Sequence, residues 1–246
     1  SSMPDNMISI LTPTRNRPDN CQRFIKSIYQ TTKNIGTIEL LFYVDKDDPS
    51  MGAYMSLQQH CYDEFPGFPR VQFNFGDPIP VCDSWNFMAK DSMGDVIIMG
   101  NDDLIYRTPE WDSILRKELS TIKDDIYCAW FDDGINGEKH CAFPIISRKW
   151  VETLGYCFAP AGTFNFGYND TWVYHIGILL GRLKYMPNIL VEHMHFSKGK
   201  SEMDDTYARN RTQERGNLYQ KDKIIFDDNA EQRQKDANKL EKVIDK

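Results

Sequence analysis

The sequence predicts an α/β fold of three layers, in which a mostly parallel, mixed central sheet is covered by helices. Three features point there. Short runs rich in Ile, Val and Leu recur along the chain and read as buried strands. The early ones each run into a polar loop and then a stretch of helical periodicity, the β-loop-α repeat of parallel sheets. Later, Asp132-Asp133-Gly134-Ile135-Asn136-Gly137, with Asp132-Asp133-Gly134 solvated, turns between two apolar stretches, which suggests a hairpin or a strand pair that mixes antiparallel pairing into the sheet.

Taken in order, Met7 to Leu11 is the first strand, followed by the loop Thr12-Pro13-Thr14-Arg15-Asn16-Arg17-Pro18. Asp19 or Asn20 is placed to cap a helix with Cys21, Phe24, Ile25, Ile28 and Tyr29 on one face. Ile38 to Val44 is the second strand and closes on Asp45-Lys46-Asp47-Asp48-Pro49, after which Ser50 and Gly52 precede a helix over 53–62. Val71 to Phe75 alternates like a strand, Asp83 or Ser84 opens a helix through Lys90, and Val96 to Met99 is a central strand. Thr108-Pro109-Glu110-Trp111 starts a helix through Leu119. Ile126 to Phe131 and Cys141 to Ser147 form the strand pair, and Arg148 to Leu154 is a short helix ended by Gly155. Asp170 caps a helix running to Gly181, and Lys184 to Val191 is the last strand, ending at Glu192-His193-Met194-His195. From Ser197 the chain turns polar; sparse apolar positions such as Leu218, Phe226 and Leu240 predict one or two surface helices packed on the body or on a partner.

Composition narrows the function. The net charge is −7 and the pI near 5.3, which disfavours a protein holding nucleic acid through a general basic surface. No apolar run approaches the roughly 20 residues of a membrane helix. Six scattered cysteines without a Cys-x-x-Cys pair argue for buried thiols in a reducing compartment, so the expected location is cytoplasmic.

The chemistry concentrates where strands stop. Asn101-Asp102-Asp103 follows the most buried strand, at the end where open α/β sheets bind ligands. Adjacent carboxylates repel unless a cation or hydrogen-bond donors compensate them, which makes this a candidate divalent-metal site. The first loop presents hydroxyls and two guanidinium groups at a helix start, which suits a phosphate. His193 and His195 stand two apart in a strand and so share a face, whereas His60, His140 and His175 read as satisfied core or surface groups. Trp85, Trp111, Trp130 and Phe164 to Phe166 serve either the core or sugar stacking.

In this order, the motifs resemble those of A-type-fold glycosyltransferases, nucleotide-diphospho-sugar transferases with a Rossmann-like sheet, and are most similar to glycosyltransferase family 2. The resemblance runs from Ile8 to Phe196. It rests on the strand and loop Ile8 to Arg17, the acidic turn Val44 to Pro49, the helix and strand from Trp85 to Asp103, and Asn169-Asp170 at a helix start. It implies a donor site made by Thr12, Pro13, Thr14, Arg15, Asn16, Arg17, Asp45, Asp47, Trp85, Asn86, Asn101 and Asp102. It implies Asp103 with His193 and His195 as metal ligands, imidazole favouring Mn²⁺ over Mg²⁺, and Asp170 as the base of an inverting transfer. Trp172 or Phe166 is the expected acceptor contact. Asn101 and Asn169 are amides where the family pattern has carboxylates.

The implied organisation is a catalytic domain over 1–200, with a nucleotide-binding half over 7–106 and an acceptor half over 107–200, followed by a helical extension over 201–246. The expected partners are a nucleotide-sugar donor, with a uridine diphosphate sugar favoured, and a hydroxyl-bearing glycan or small molecule. A DNA acceptor would need a local groove from Arg148, Lys149, Lys198, Lys200 and the arginines between 209 and 215. Two other readings compete: a nucleotidyltransferase, which the glycine-free loop from Thr12 to Arg17 disfavours, and a non-catalytic nucleotide- or carbohydrate-binding module, which the two amides favour.

Overall fold

The computed structural model describes residues 6–195 and 213–245. Its elements are β1 (Ile8–Pro13), α1 (Pro18–Thr31), β2 (Ile38–Asp45), α2 (Met51–Glu64), β3 (Arg70–Gly76), α3 (Val81–Asp91), β4 (Val96–Met99) and β5 (Leu104–Tyr106). There follow α4 (Trp111–Leu119), β6 (Cys128–Asp132), β7 (Ile145–Ser147), α5 (Arg148–Leu154), α6 (Asn169–Leu180), β8 (Leu183–His193), α7 (Gln213–Asp228) and α8 (Ala230–Glu241).

The strands form one sheet in the order β3-β2-β1-β4-β7-β6-β8-β5. β1 pairs in parallel with β2 and β4, β2 with β3, and β6 with β8; β7 runs antiparallel to β4 and β6, and β5 antiparallel to β8. The carboxyl ends of β1 to β4, β6 and β8 therefore share one edge with the amino ends of β5 and β7.

Alternation along each strand sends side chains to two covered faces, which is why the strands read as continuous apolar runs. Ile8, Ile10, Leu40, Phe42, Val96 and Ile98 pack with α1, α2 and α4 on one face. Leu11, Leu41, Ile97 and Met99 pack with α3, α5, α6 and α8 on the other. Gly100 lets β4 close onto β1: a Cβ there would collide with Thr12 Oγ1 and lie 3.0 Å from Ile10 Cγ2. This close approach sets Asp102 against the β1 loop.

The three-layer mixed sheet is as expected, but several details differ. β5, only three residues long, pairs with the end of β8 and was not anticipated. The side-chain caps expected at α1, α3 and α6 do not form. Asn20 reaches Asp103, Asp83 accepts the Gly162 N–H, Ser84 returns to the Val81 carbonyl, and Asp170 takes His140. Pro18 instead opens α1 at its first turn, where its missing N–H costs nothing. Ser147 does cap α5, and Gly155 ends it at φ 83°. All six cysteines are free and buried. The C-terminal helices are more than a surface layer, since Asp222, Arg233, Asp236 and Leu240 are all buried.

Candidate functional site

At the shared carboxyl edge, the loop after β1 meets the ends of β2 and β4. Arg15 Nη1 contacts Asp45 Oδ2 at 3.2 Å and Asp47 Oδ1 at 3.0 Å. Arg17 Nη1 bridges the neighbouring carboxylates, 3.2 Å from Asp102 Oδ1 and 2.7 Å from Asp103 Oδ2. Thr14 Oγ1 donates to Asp102 Oδ2 at 2.7 Å, and Asn20 Nδ2 to Asp103 Oδ1 at 3.1 Å. Burial pushes the Asp102 carboxyl up to about 6; Arg17 pulls it down, and Asp103 adds to the rise.

The Asn101 amide has a structural reason. Its Oδ1 accepts the Asp103 N–H at 2.9 Å, an Asx turn that folds the acidic pair back over the sheet. Two supports escaped the sequence reading. Tyr54 OH shares a 2.7 Å hydrogen bond with Thr14 and accepts the Arg17 N–H, while Asp48 accepts the N–H groups of Asn16 and Ser50. Asn16 itself sits in the left-handed region at φ 49°. An aromatic after a Pro-Ser break and the third acid of the turn were the available signals.

His193 and His195 reach the same edge, with ring centroids 5.0 Å apart. The His193 ring stands edge-on to Phe143, and the Met194 N–H donates to the Asp103 carbonyl. They do not complete a metal centre with Asp103. Among the described residues no three His, Cys, Asp or Glu side chains are arranged to hold an ion, and the cationic position between Asp102 and Asp103 is taken by Arg17. With Arg17 Nη1 already bridging the two carboxylates, the present donor set does not fit the expected Mn²⁺ or Mg²⁺.

On the other side of the edge lies the start of α6. Asp170 Oδ2 is 2.9 Å from His140 Nε2, and its Oδ1 accepts from the Thr171 N–H at 2.8 Å. His140, expected to be a bystander, therefore belongs to the candidate site. Its pKa is raised by the hydrogen bond to Asp170, against the opposing effect of burial. Asn169 is buried, and its Oδ1 has no hydrogen-bond partner among the described residues. In the turn Asp132-Asp133-Gly134, expected to be solvated, Gly134 is exposed but Asp133 is not. Burial pushes the Asp133 carboxyl up, but the hydrogen bonds it accepts from the N–H groups of Ile135, Asn136 and Gly137 outweigh this and lower its pKa from the usual carboxylate value.

The segment before α6 is held from far away in the chain. Asp222 of α7, fully buried, accepts the backbone N–H groups of Asn165, Phe166 and Gly167 at 2.8, 2.7 and 2.8 Å. Arg233 of α8 lies over the Phe226 ring at 3.7 Å and the Trp172 ring at 4.9 Å. Trp172 is only 1 % exposed and donates its indole N–H to Tyr156, so it offers no face to an acceptor. Phe166 is half-buried against Tyr219.

Trp85, Trp111, Trp130 and Phe164 are core residues. Trp85 donates to the Leu11 carbonyl, and Asn86 is saturated by the Cys82 and Ala159 carbonyls and the Cys157 N–H. Trp85 thus braces β1 from behind, and Asn86 ties α3 to the segment 157–159. Arg148 and Lys149 lie at the opposite edge, bonded to Gly94, Ser92, Asp124 and Val243. They line no nucleic-acid groove at the candidate site; Lys198, Lys200, Arg209 and Arg211 lie outside the described residues. That opposite edge also carries a groove of about 630 Å³ lined by Asp95, Arg116, Arg148 and Glu152.

No protein-family model and no curated protein sequence matches the chain. Solved structures do. The mannosyltransferase PcManGT from Pyrobaculum calidifontis, in complex with GDP-Man and Mn²⁺, matches with a TM-score of 0.59 at 10% identity over 77% of this chain and 57% of that one. S. aureus TarS 1–349 in complex with UDP-GlcNAc matches with a TM-score of 0.59 at 8% identity over 89% of this chain and 66% of that one. The same protein in complex with UDP gives a TM-score of 0.55 at 11% identity, over 76% of this chain and 60% of that one. The chain thus spans roughly six tenths of the length of these structures, and no helix among its described residues is long and apolar enough to cross a membrane. At such identities the likeness speaks for architecture: the chain has the nucleotide-sugar glycosyltransferase fold of the A type.

Proposed function

We propose that the chain transfers a sugar from a nucleotide-diphosphate donor to a hydroxyl group of a glycan or small molecule, with inversion at the anomeric carbon. One observation carries this reading: Arg15, Arg17, Asp45, Asp47, Asp102 and Asp103 converge where β1, β2 and β4 end, the crevice in which open α/β sheets take nucleotides. Thr12 to Arg17, Asp45 and Asp47 line the nucleotide. Asp102 and Asn101 lie toward ribose and sugar, and the guanidinium of Arg17 supplies positive charge next to the diphosphate. Asp170 stands on the acceptor side at the start of α6, paired with His140, and this pair serves to take up the hydroxyl proton during attack.

The solved glycosyltransferases bound to GDP-Man and UDP-GlcNAc support a nucleotide-sugar donor of this kind. The test is thermal denaturation with UDP-GlcNAc, GDP-mannose and a cytidine diphosphate sugar, each with and without Mn²⁺ or Mg²⁺. A ligand that binds only the folded chain raises its Tm, by about 2.7 kcal/mol of stability at 100 times Kd. At least one donor is expected to do so. An extra gain with Mn²⁺ would support a metal-assisted version; no shift with any donor would overturn the reading.

A further inference from the structure

We infer that His140 is the group that removes the acceptor proton and that Asp170 is the positioning residue behind it, an inference that rests on the glycosyl-transfer reading. The geometry is that of an imidazole held by a carboxylate. Nε2 lies 2.9 Å from Asp170 Oδ2, and beside an anionic oxygen Nε2 carries the hydrogen. The lone pair is then left on Nδ1, for which no hydrogen-bond partner exists among the described residues. The His140 side chain is 39% exposed, so a hydroxyl reaches it from solvent. Asp170 is engaged at both oxygens, by His140 at Oδ2 and by the Thr171 N–H and Oγ1 at Oδ1.

The backbone fixes both partners. Asp170 sits in the first turn of α6, and His140 ends a short turn whose N–H groups are gathered by buried Asp133. The charged groups facing the imidazole are Asp170 from α6 and Asp133 from the end of β6. Tyr219 of α7 and Cys141 lie near Asp170 in turn.

In the step itself, the acceptor oxygen bonds to the anomeric carbon as its proton passes to Nδ1. The bond from that carbon to the diphosphate oxygen breaks, and its electron pair leaves with the nucleotide. Asp170 stabilises the imidazolium that forms, and the proton then passes to solvent.

The test follows nucleoside diphosphate release from UDP-GlcNAc and GDP-mannose with a panel of methyl glycosides, from pH 5 to 9. For the wild type, kcat/KM should rise with pH through one ionisation. His140→Gln keeps an amide to bond Asp170 but takes up no proton; it should lose roughly 10²- to 10⁴-fold in kcat and the acidic limb, with donor affinity and Tm retained. Asp170→Asn should move the limb to lower pH, since the carboxylate that holds the imidazolium is gone, and NMR of the His140 ring should show the same shift. His140→Gln with wild-type rate and limb, beside an inactive Asp170→Asn, would make Asp170 the base and overturn the inference. Absence of release by the wild type would instead remove the glycosyl-transfer reading, and this inference with it.

Discussion

The two ends of the candidate site neutralise buried carboxylates by opposite means. On the β1–β4 side, Asp102 and Asp103 are compensated by a side-chain cation, Arg17, carried on the adjacent loop. On the α6 side, Asp222 and Asp133 are compensated by backbone N–H groups, three for each. A cation on a side chain can be withdrawn and replaced; N–H groups fixed by the fold cannot. On the proposed function, the first end can release its cation when the donor binds, whereas the second holds a loop still.

The comparison breaks most visibly at Asp222. Asp222→Ala removes a buried acceptor shared by three N–H groups and should cost about 2–4 kcal/mol in urea denaturation, with no recovery on adding any small cation. Arg17→Ala leaves two adjacent carboxylates with only the neutral donors Thr14 and Asn20 and should cost about 2–4 kcal/mol. Here Mn²⁺ should restore part of the loss, raising the variant's Tm more than the wild type's. Equal responses of the two proteins would show that the first end is as fixed as the second.

Smaller effects sharpen the picture. Gly100→Ala forces the β4 end away from Thr12 and should cost about 1–3 kcal/mol while weakening donor affinity, as read by calorimetry. Tyr54→Phe removes the hydroxyl between Thr14 and the Arg17 N–H, and should cost about 1 kcal/mol. The smallest effect is a pH dependence. Because the folded chain raises the His140 pKa, the contribution of its pair with Asp170 is fully present below the unfolded value near 6.5 and is lost as pH climbs through the raised one. Hydrogen exchange at the start of α6 should accelerate over that window in the wild type but not in His140→Gln.

How much of this was legible follows the same division. The strands from β1 to β4 and the acids at their ends stand out because each signal is contiguous: an apolar run, then Asp45 or Asn101-Asp102-Asp103. The resemblance to A-type glycosyltransferases rested on that regularity, and the fold agrees with it. What the sequence hid are pairings set by the fold, such as Thr14 with Asp102 across 88 residues, Asp222 with Asn165 across 57, and His140 with Asp170 across 30. Trp172 shows the converse error. An aromatic near Asp170 suggested sugar stacking, but its helix turns it inward beneath Arg233. Arg17 was legible as a phosphate ligand by type; that it meets Asp102 and Asp103 depends on how closely β4 lies against β1.

The central claim is that the nucleotide sugar binds at the carboxyl edge of the sheet. Amide hydrogen exchange with and without saturating UDP-GlcNAc or GDP-mannose tests it most directly. The account predicts protection at Thr14 to Arg17, Asp45 to Asp48 and Asn101 to Asp103. Protection confined to the opposite groove, at Asp95, Arg116 and Arg148, would contradict it.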